Sequence, residues 1–204
     1  MRLAFLASNS GSSMRAVIAA IDRRELDAEA VLTVSNRRDA PALRFAAEHG
    51  VATRFIPTLK DPQAADDHLT RALQGARADL VILSGYLRKL GPMVLAAFGG
   101  RVLNIHPALL PKYGGEGMYG RRVHEAVIAA GETVSGATVH LVDDHYDHGP
   151  VVAQAMVPVF AADTAADLES RVMAAEPALF ISTLQAIAAG SIRIPGDFPP
   201  QRQR

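Results

Sequence analysis

The stretch ADLVILSGYLRKLGPMVLAAFGGRVLNIHP, residues 78–107, decides the fold. ADLVILSG is an unbroken apolar run. GPMVLAAFGG reads as a short helix opened by Gly-Pro, and RVLNIH is a second apolar run cut off by Pro107. A strand without polar alternation is buried on both faces. Two such strands with a helix between them form a parallel unit of an α/β sheet.

Upstream, the alternation continues. RLAFLA is a strand and SNSGSS a turn. A helix follows whose Met14, Val17, Ile18 and Ile21 recur at i, i+3, i+4, i+7. AVLTVS is the next strand. RRDAPALRFAAEHG is a helix with Asp39 expected as N-cap and Gly50 at its end. VATRFIP is a weaker strand, and DPQAADDHLTRALQGA starts a helix with Asp61 as cap and Pro62 in the first turn.

Downstream of residue 111 the pattern changes. PKYGGEGMYG is a glycine-rich loop and RRVHEAVIAAGE a helix. SGATVHLVDD and GPVVAQAMVPVF are strands joined by HYDHG, short enough for antiparallel pairing. The segment from Asp163 to Gly190 is a long helix, with Thr164 and Asp167 set as a capping box and a kink expected at Pro177. The predicted fold is α/β: an open, mostly parallel Rossmann-like sheet with helices on both faces and an antiparallel C-terminal strand pair.

Composition narrows the function. The chain has 204 residues, 49% hydrophobic and 21% charged, with 21 basic and 21 acidic side chains and no cysteine. Zero net charge lacks the basic footprint of a nucleic-acid binder. The N-terminal apolar run is too short to be a secretory core or to cross a membrane. Cytoplasmic location is expected. Without cysteine there is no disulfide framework and no thiolate site.

Three places carry candidate chemistry. In SNSGSSM, residues 8–14, Ser10, Gly11, Ser12 and Ser13 precede a helix, where free N–H groups and the helix dipole favour an anion. The loop is neither G-x-G-x-x-G nor a Walker loop, so a phosphate monoester fits better than a dinucleotide. A plain serine-capped turn is the alternative. In VLNIH, period-2 alternation puts Val102, Asn104 and His106 on one face and Leu103 and Ile105 on the other. An amide and an imidazole at a strand's carboxyl end suit a developing oxyanion. A capping Asn and a half-buried His would give the same pattern. In HLVDDHYDHGP, residues 140–150, an Asp147 carboxylate facing His106 would raise its pKa, fix its ring and relay a proton. His140, His145, His148, Asp143, Asp144 and Asp147 are also possible metal ligands. Their spacing matches no closed site and there is no H-E-x-x-H, so no metal is expected. A charged hairpin tip is the plainest reading. There is no G-x-S-x-G elbow, which argues against a serine hydrolase.

NIHPALLPKYGG, followed by DHGPVVAQ and preceded by SNSGSS, resembles the folate-dependent formyltransferases, from Arg2 to about Leu184. The resemblance implies a formyl group moved from 10-formyltetrahydrofolate, a co-substrate, to the amine of 5′-phosphoribosylglycinamide in purine biosynthesis. It implies no metal, no nucleic acid, no membrane, and a monomer or homodimer. Asn104, His106 and Asp147 match the catalytic trio. Ser10, Gly11, Ser12 and Ser13 match the substrate's phosphate loop, and Glu176 an acid near its ribose. Leu87, Arg88, Lys89 and Leu90, with Asn104, Asp143 and Asp144, match the folate pocket.

One domain over 1–204 is implied, with a phosphate-binding half (1–106), a catalytic and folate-binding half (107–190) and a tail (191–204). A different amine acceptor, or water in a 10-formyltetrahydrofolate hydrolase, is the alternative within that chemistry. A non-catalytic or metal-binding module is the remote one. The chain departs from the family at Ser13, where Asn is commoner, and at Met173, where a polar contact is common. Its longer loop through residues 113–122 could carry Tyr119 and Arg121 towards the phosphate.

Overall fold

The computed structural model describes residues 1–195. The elements run β1 (Arg2–Leu6), α1 (Ser12–Asp22), β2 (Glu29–Ser35), α2 (Pro41–Glu48), β3 (Thr53–Phe55), α3 (Pro62–Gly75), β4 (Leu80–Leu83), α4 (Pro92–Ala97) and β5 (Val102–His106). Then come α5 (Arg121–Ala129), β6 (Val134–Leu141), β7 (Val151–Pro158) and α6 (Ala165–Ala188). They build one sheet in the order β3-β2-β1-β4-β5-β6-β7. Strands β1 to β5 pair in parallel, and β6 is antiparallel to both β5 and β7. The α/β sheet with its antiparallel C-terminal pair is the one read from the sequence.

The unbroken apolar strands are buried on both faces. Leu3 and Phe5 of β1, Ile82 of β4 and Leu103 of β5 pack in one core with Val17, Ile18, Leu168 and Phe180 from α1 and α6. Ala4, Leu6, Val81, Leu83 and Val102 point the other way, into a second core with Leu69 and Leu73 of α3 and Val94 of α4. Fully burying such a side chain contributes about 1.5–3 kcal/mol.

Side-chain caps start two of the six helices among the described residues, α3 and α6. Asp61 accepts the Ala64 N–H at 2.9 Å, and Thr164 and Asp167 form the expected capping box. Asp39 does not cap α2. Ala40 takes the cap position, and Pro41 in the first turn needs no acceptor for a missing N–H. The Asp39 carboxylate instead lies 3.8 Å from Arg37 Nε, in solvent. Helix α6 runs through Pro177 as one element. The start of the expected tail is packed, since Ile192 and Ile194 lie against the first core. Its remainder, 196–204, lies outside the described residues. Among the described residues, no helix is long and apolar enough to cross a membrane.

The strand order reverses between β1 and β4. Their carboxyl ends diverge into two loops, and such a switch point is where open α/β sheets hold ligands. Ser8 ties the loops together: its N–H donates to the Gly85 carbonyl at 3.1 Å, and its Oγ accepts the Leu87 N–H at 2.8 Å.

Candidate functional site

A cavity of about 740 Å³ opens at this switch point and extends past the end of β5. It is lined by Ser12, Ser13, Asn104, His106, Asp147 and Glu176, with the glycine-rich loop as one wall. The three sequence segments that carried candidate chemistry therefore share one cleft.

Register builds its inner end. Strand β5 pairs with β6 so that Asn104 faces His140 and His106 faces Thr138. Asn104 and His106, two apart, point to the same side of the sheet. His106 is 3% exposed. Its Nδ1 lies 3.3 Å from Asp147 Oδ2, and its Nε2–H donates to the Tyr113 carbonyl at 2.8 Å. Asn104 Nδ2 lies 3.1 Å from His140 Nε2, and His140 Nε2 lies 3.5 Å from Asp147 Oδ1. The Gly115 N–H donates to Asp147 Oδ2 at 3.0 Å.

The loop between β6 and β7 delivers Asp147 by a tight path. Asp147 has φ 55, in the left-handed region that Asp tolerates better than most residues. Gly149 lies so close beneath the Leu141 carbonyl that a Cβ would collide with it. Thr138 secures the chain leaving β5: its hydroxyl donates to the Ala108 carbonyl at 2.6 Å and accepts the Leu110 N–H at 3.0 Å.

Electrostatics correct one expectation. Burial is the largest influence on His106 and lowers its pKa. Asp147 and the Tyr113 carbonyl pull it upward without prevailing. Both of those neighbours only accept, so donating to both takes the doubly protonated ring, and burial opposes its charge. Burial also pushes Asp147 up, but His140, His106 and the Gly115 N–H together outweigh it and hold the carboxyl below its ordinary value. Asp147 is ionised at neutral pH.

The outer end is built on α1. Gly11 precedes the helix at φ 64, and its missing Cβ leaves Ala42 and Met14 room to approach. The Met14 N–H is taken by Ser84 Oγ at 2.9 Å. Those of Ser12 and Ser13 have no acceptor among the described residues, as first-turn donors do without a ligand. Ser10 and Gly11 shape this loop without lining the cavity, and the Ser10 carbonyl accepts Arg15 Nε–H at 2.8 Å. Glu176 reaches in from α6, and burial raises its pKa to about 7.

The expected folate segment divides. Leu87 and Arg88 line the large cavity, while Lys89 and Leu90 line smaller pockets beside it. The Leu87 N–H is already held by Ser8. Asp143 lines a neighbouring pocket whose aliphatic side is Leu83, Leu90 and Val142 and whose polar side includes Arg88, Asn104 and Asp147. Asp144 does not line it. Its carboxylate is 73% exposed and 2.8 Å from His145 Nδ1. Asp143, His145 and His148 set one ligand atom each within 4.8 Å of one another at the exposed hairpin tip.

In the long loop, Tyr119 lines the cavity, but Arg121 turns away to Glu169 at 2.8 Å and Arg122 takes its place. Sequence reasoning also missed the Tyr113 carbonyl and gave His140 no role beyond a possible metal ligand. The alternation T-V-H-L puts Thr138 and His140 on one face of β6, but only the register sets His140 opposite Asn104.

A family model described as formyl transferase matches residues 1–184. The chain is 37% identical over 188 residues to the chloroplastic phosphoribosylglycinamide formyltransferase of Vigna unguiculata, covering 91% of this chain and 60% of that protein's length. It is 34% identical over 196 residues to the phosphoribosylglycinamide formyltransferase of Escherichia coli, covering 95% and 90%. The crystal structure of glycinamide ribonucleotide transformylase 1 from Symbiobacterium toebii superposes with a TM-score of 0.87 at 33% identity, covering 96% of this chain and 91% of that one. The match runs through all three segments that meet in the cleft and continues through α6 to Leu184; on that extent the chain belongs to the formyl transferase family.

Proposed function

We propose that this chain transfers a formyl group from 10-formyltetrahydrofolate to the amine of 5′-phosphoribosylglycinamide, a step of purine biosynthesis. One observation carries the reading: an amide, an imidazole and a carboxylate converge at one end of a single cleft whose other end holds unpaired helix N–H groups. The folate is consumed as a co-substrate and supplies an already activated formyl carbon. The pocket that sets Leu83, Leu90 and Val142 against Asp143 and Arg88 suits a flat ring with polar edges. No step below uses a metal.

The roles follow from protonation states. Attack of the amine puts negative charge on the formyl oxygen. Asn104 donates an N–H to that oxygen, and one such donor lowers the barrier by about 3–4 kcal/mol. Once the Tyr113 carbonyl is displaced, a ring holding its one proton on Nδ1, towards Asp147, can take the proton leaving the amine at Nε2 and return it to the departing folate nitrogen. Asp147, ionised beside it, stabilises the imidazolium while it lasts. In the ligand-free site Nε2 faces the Tyr113 carbonyl at 2.8 Å, so the substrate amine must replace that carbonyl. Ser12 and Ser13 bind the phosphate, Glu176 a ribose hydroxyl, and Arg88 to Leu90 with Asp143 the folate. Residues 1–106 supply the phosphate end, Asn104, His106 and one side of the folate pocket, and 107–190 supply Asp147, Glu176 and the other side. The expected compartment is the cytoplasm, and the expected assembly a monomer or homodimer.

The test is a spectroscopic assay of folate release. Release that depends on 5′-phosphoribosylglycinamide is expected. Equal release without the acceptor would mean a hydrolase, and no release under either condition would end the reading.

A further inference from the structure

His140 is the buried polar group that the transfer chemistry leaves unused. It is 2% exposed in the middle of the β5–β6 ladder, directly opposite Asn104. A histidine there is satisfied only if both ring nitrogens find partners. Its Nδ1 lies 2.9 Å from the Leu141 carbonyl. A carbonyl only accepts, so Nδ1 carries a proton. Two groups face Nε2: Asp147 Oδ1 at 3.5 Å, past ordinary hydrogen-bond length, and Asn104 Nδ2 at 3.1 Å, which has two N–H groups to give to the lone pair of a neutral ring. The tautomer set by Leu141 thus settles which end of the Asn104 amide faces the ring. One N–H is spent on His140, and the second is left for the cavity that Asn104 lines.

We propose that His140 is a positioning residue for formyl transfer: as a neutral Nδ1–H imidazole it anchors one N–H of Asn104, so that the other is held ready for the oxygen on which charge develops. This rests on the function proposed above. A lone asparagine has a freely turning terminal amide, and an electrostatic donor is effective in proportion to how little it must reorganise. The opposite tautomer would offer a donor at Nε2. The amide would then turn its carbonyl to the ring, and its –NH₂ would leave its present position.

Two variants separate this role from general packing. In His140→Asn, the shorter side chain can still donate to Leu141 but does not reach Asn104. In His140→Gln, the longer side chain brings a carbonyl to the place of Nε2. We expect His140→Asn to lose about 10–100-fold in kcat, less than removing the donor outright, with KM for both substrates unchanged. His140→Gln should retain at least about tenfold more kcat than His140→Asn. In an Asn104→Ala background, His140→Asn should change kcat less than about twofold, because the residue it orients is gone.

Additive losses, equal loss in the Asn and Gln variants, or unchanged kcat in His140→Asn would overturn the proposal. Imidazole nitrogen NMR of the unmutated protein tests it independently of how the variants fold. A neutral Nδ1–H ring supports it, and a neutral Nε2–H ring or an imidazolium at pH 7 overturns it. If the wild-type protein moves no formyl group to the phosphorylated amine, the functional reading fails, while the NMR result still decides the tautomer on which this inference stands.

Discussion

The two ends of the cleft are built on opposite terms. At the β5–β6 end the polar groups are held. His106 sits between Asp147 and the Tyr113 carbonyl, Asn104 is tied to His140, and Asp147 accepts the Gly115 N–H. At the α1 end they are open. The Ser12 and Ser13 N–H groups have no acceptor, and neither Glu176 nor Arg122 has an ion-pair partner, among the described residues. Groups held in place before charge develops contribute to the chemical step. Groups left open complete their bonding when a ligand arrives and contribute to affinity. Substitutions at the held end should therefore appear in kcat, and those at the open end in KM.

The largest effect is expected at Asp147. Asp147→Asn keeps the shape and removes the charge, and should lower kcat by about 10²–10⁴-fold with little change in thermal stability. Near-normal turnover would break the contrast. The pH profile sharpens it. Burial holds His106 below its ordinary value, so the acid limb of kcat should lie below about pH 6.5 in the wild-type protein. Asp147 raises His106, so its removal should move that limb lower still. A limb that moved upward would contradict the assignment.

Asn104→Ala should cost about 10²–10³-fold in kcat and leave KM for the phosphorylated amine unchanged. At the open end, Gly11→Ala forces a side chain into the left-handed region, which costs about 1–2 kcal/mol, and disturbs the helix start. KM for the phosphorylated amine should rise and kcat hold. The reverse split would show that the two ends are not separable.

The smallest effect is thermodynamic. Burial raises Glu176 to about 7, above its ordinary 4.5, so the folded chain binds a proton there that the unfolded chain releases. Its stabilising influence is complete below about pH 4.5 and is lost as pH rises through about 7. Glu176→Gln, which cannot ionise, should therefore melt a few degrees higher at pH 8 and close to wild type at pH 4.5. A variant that melted lower at pH 8 would mean that the ionised carboxylate has a partner in solution.

Much of this was legible in the sequence because burial on two faces leaves a plain mark. Val81 to Leu83 and Val102 to Leu103 are apolar without interruption, and they are central strands. Asn104 and His106 stand out because they break such a run. What stayed hidden depends on distance in space. Asp39 looks like a cap, but Pro41 decides where α2 begins. Arg121 and Arg122 are identical in type, and only the rotation of α5 sends one to Glu169 and the other to the cleft. The state of His106 turns on a contest between burial and a neighbouring charge, and residue order does not contain the depth of burial.

The left-handed backbone at Asp147 restricts what can replace it. Glutamate, the nearest chemical substitute, is disfavoured on two counts. The turn at φ 55 suits Asp and Asn, and one more methylene would carry the carboxylate off its present contacts with His106 and the Gly115 N–H. The acid at this position cannot drift to its longer homologue and keep its aim. A library randomised at codon 147 and selected for growth without purines should return aspartate alone, and one screened only for soluble protein should add asparagine and glycine.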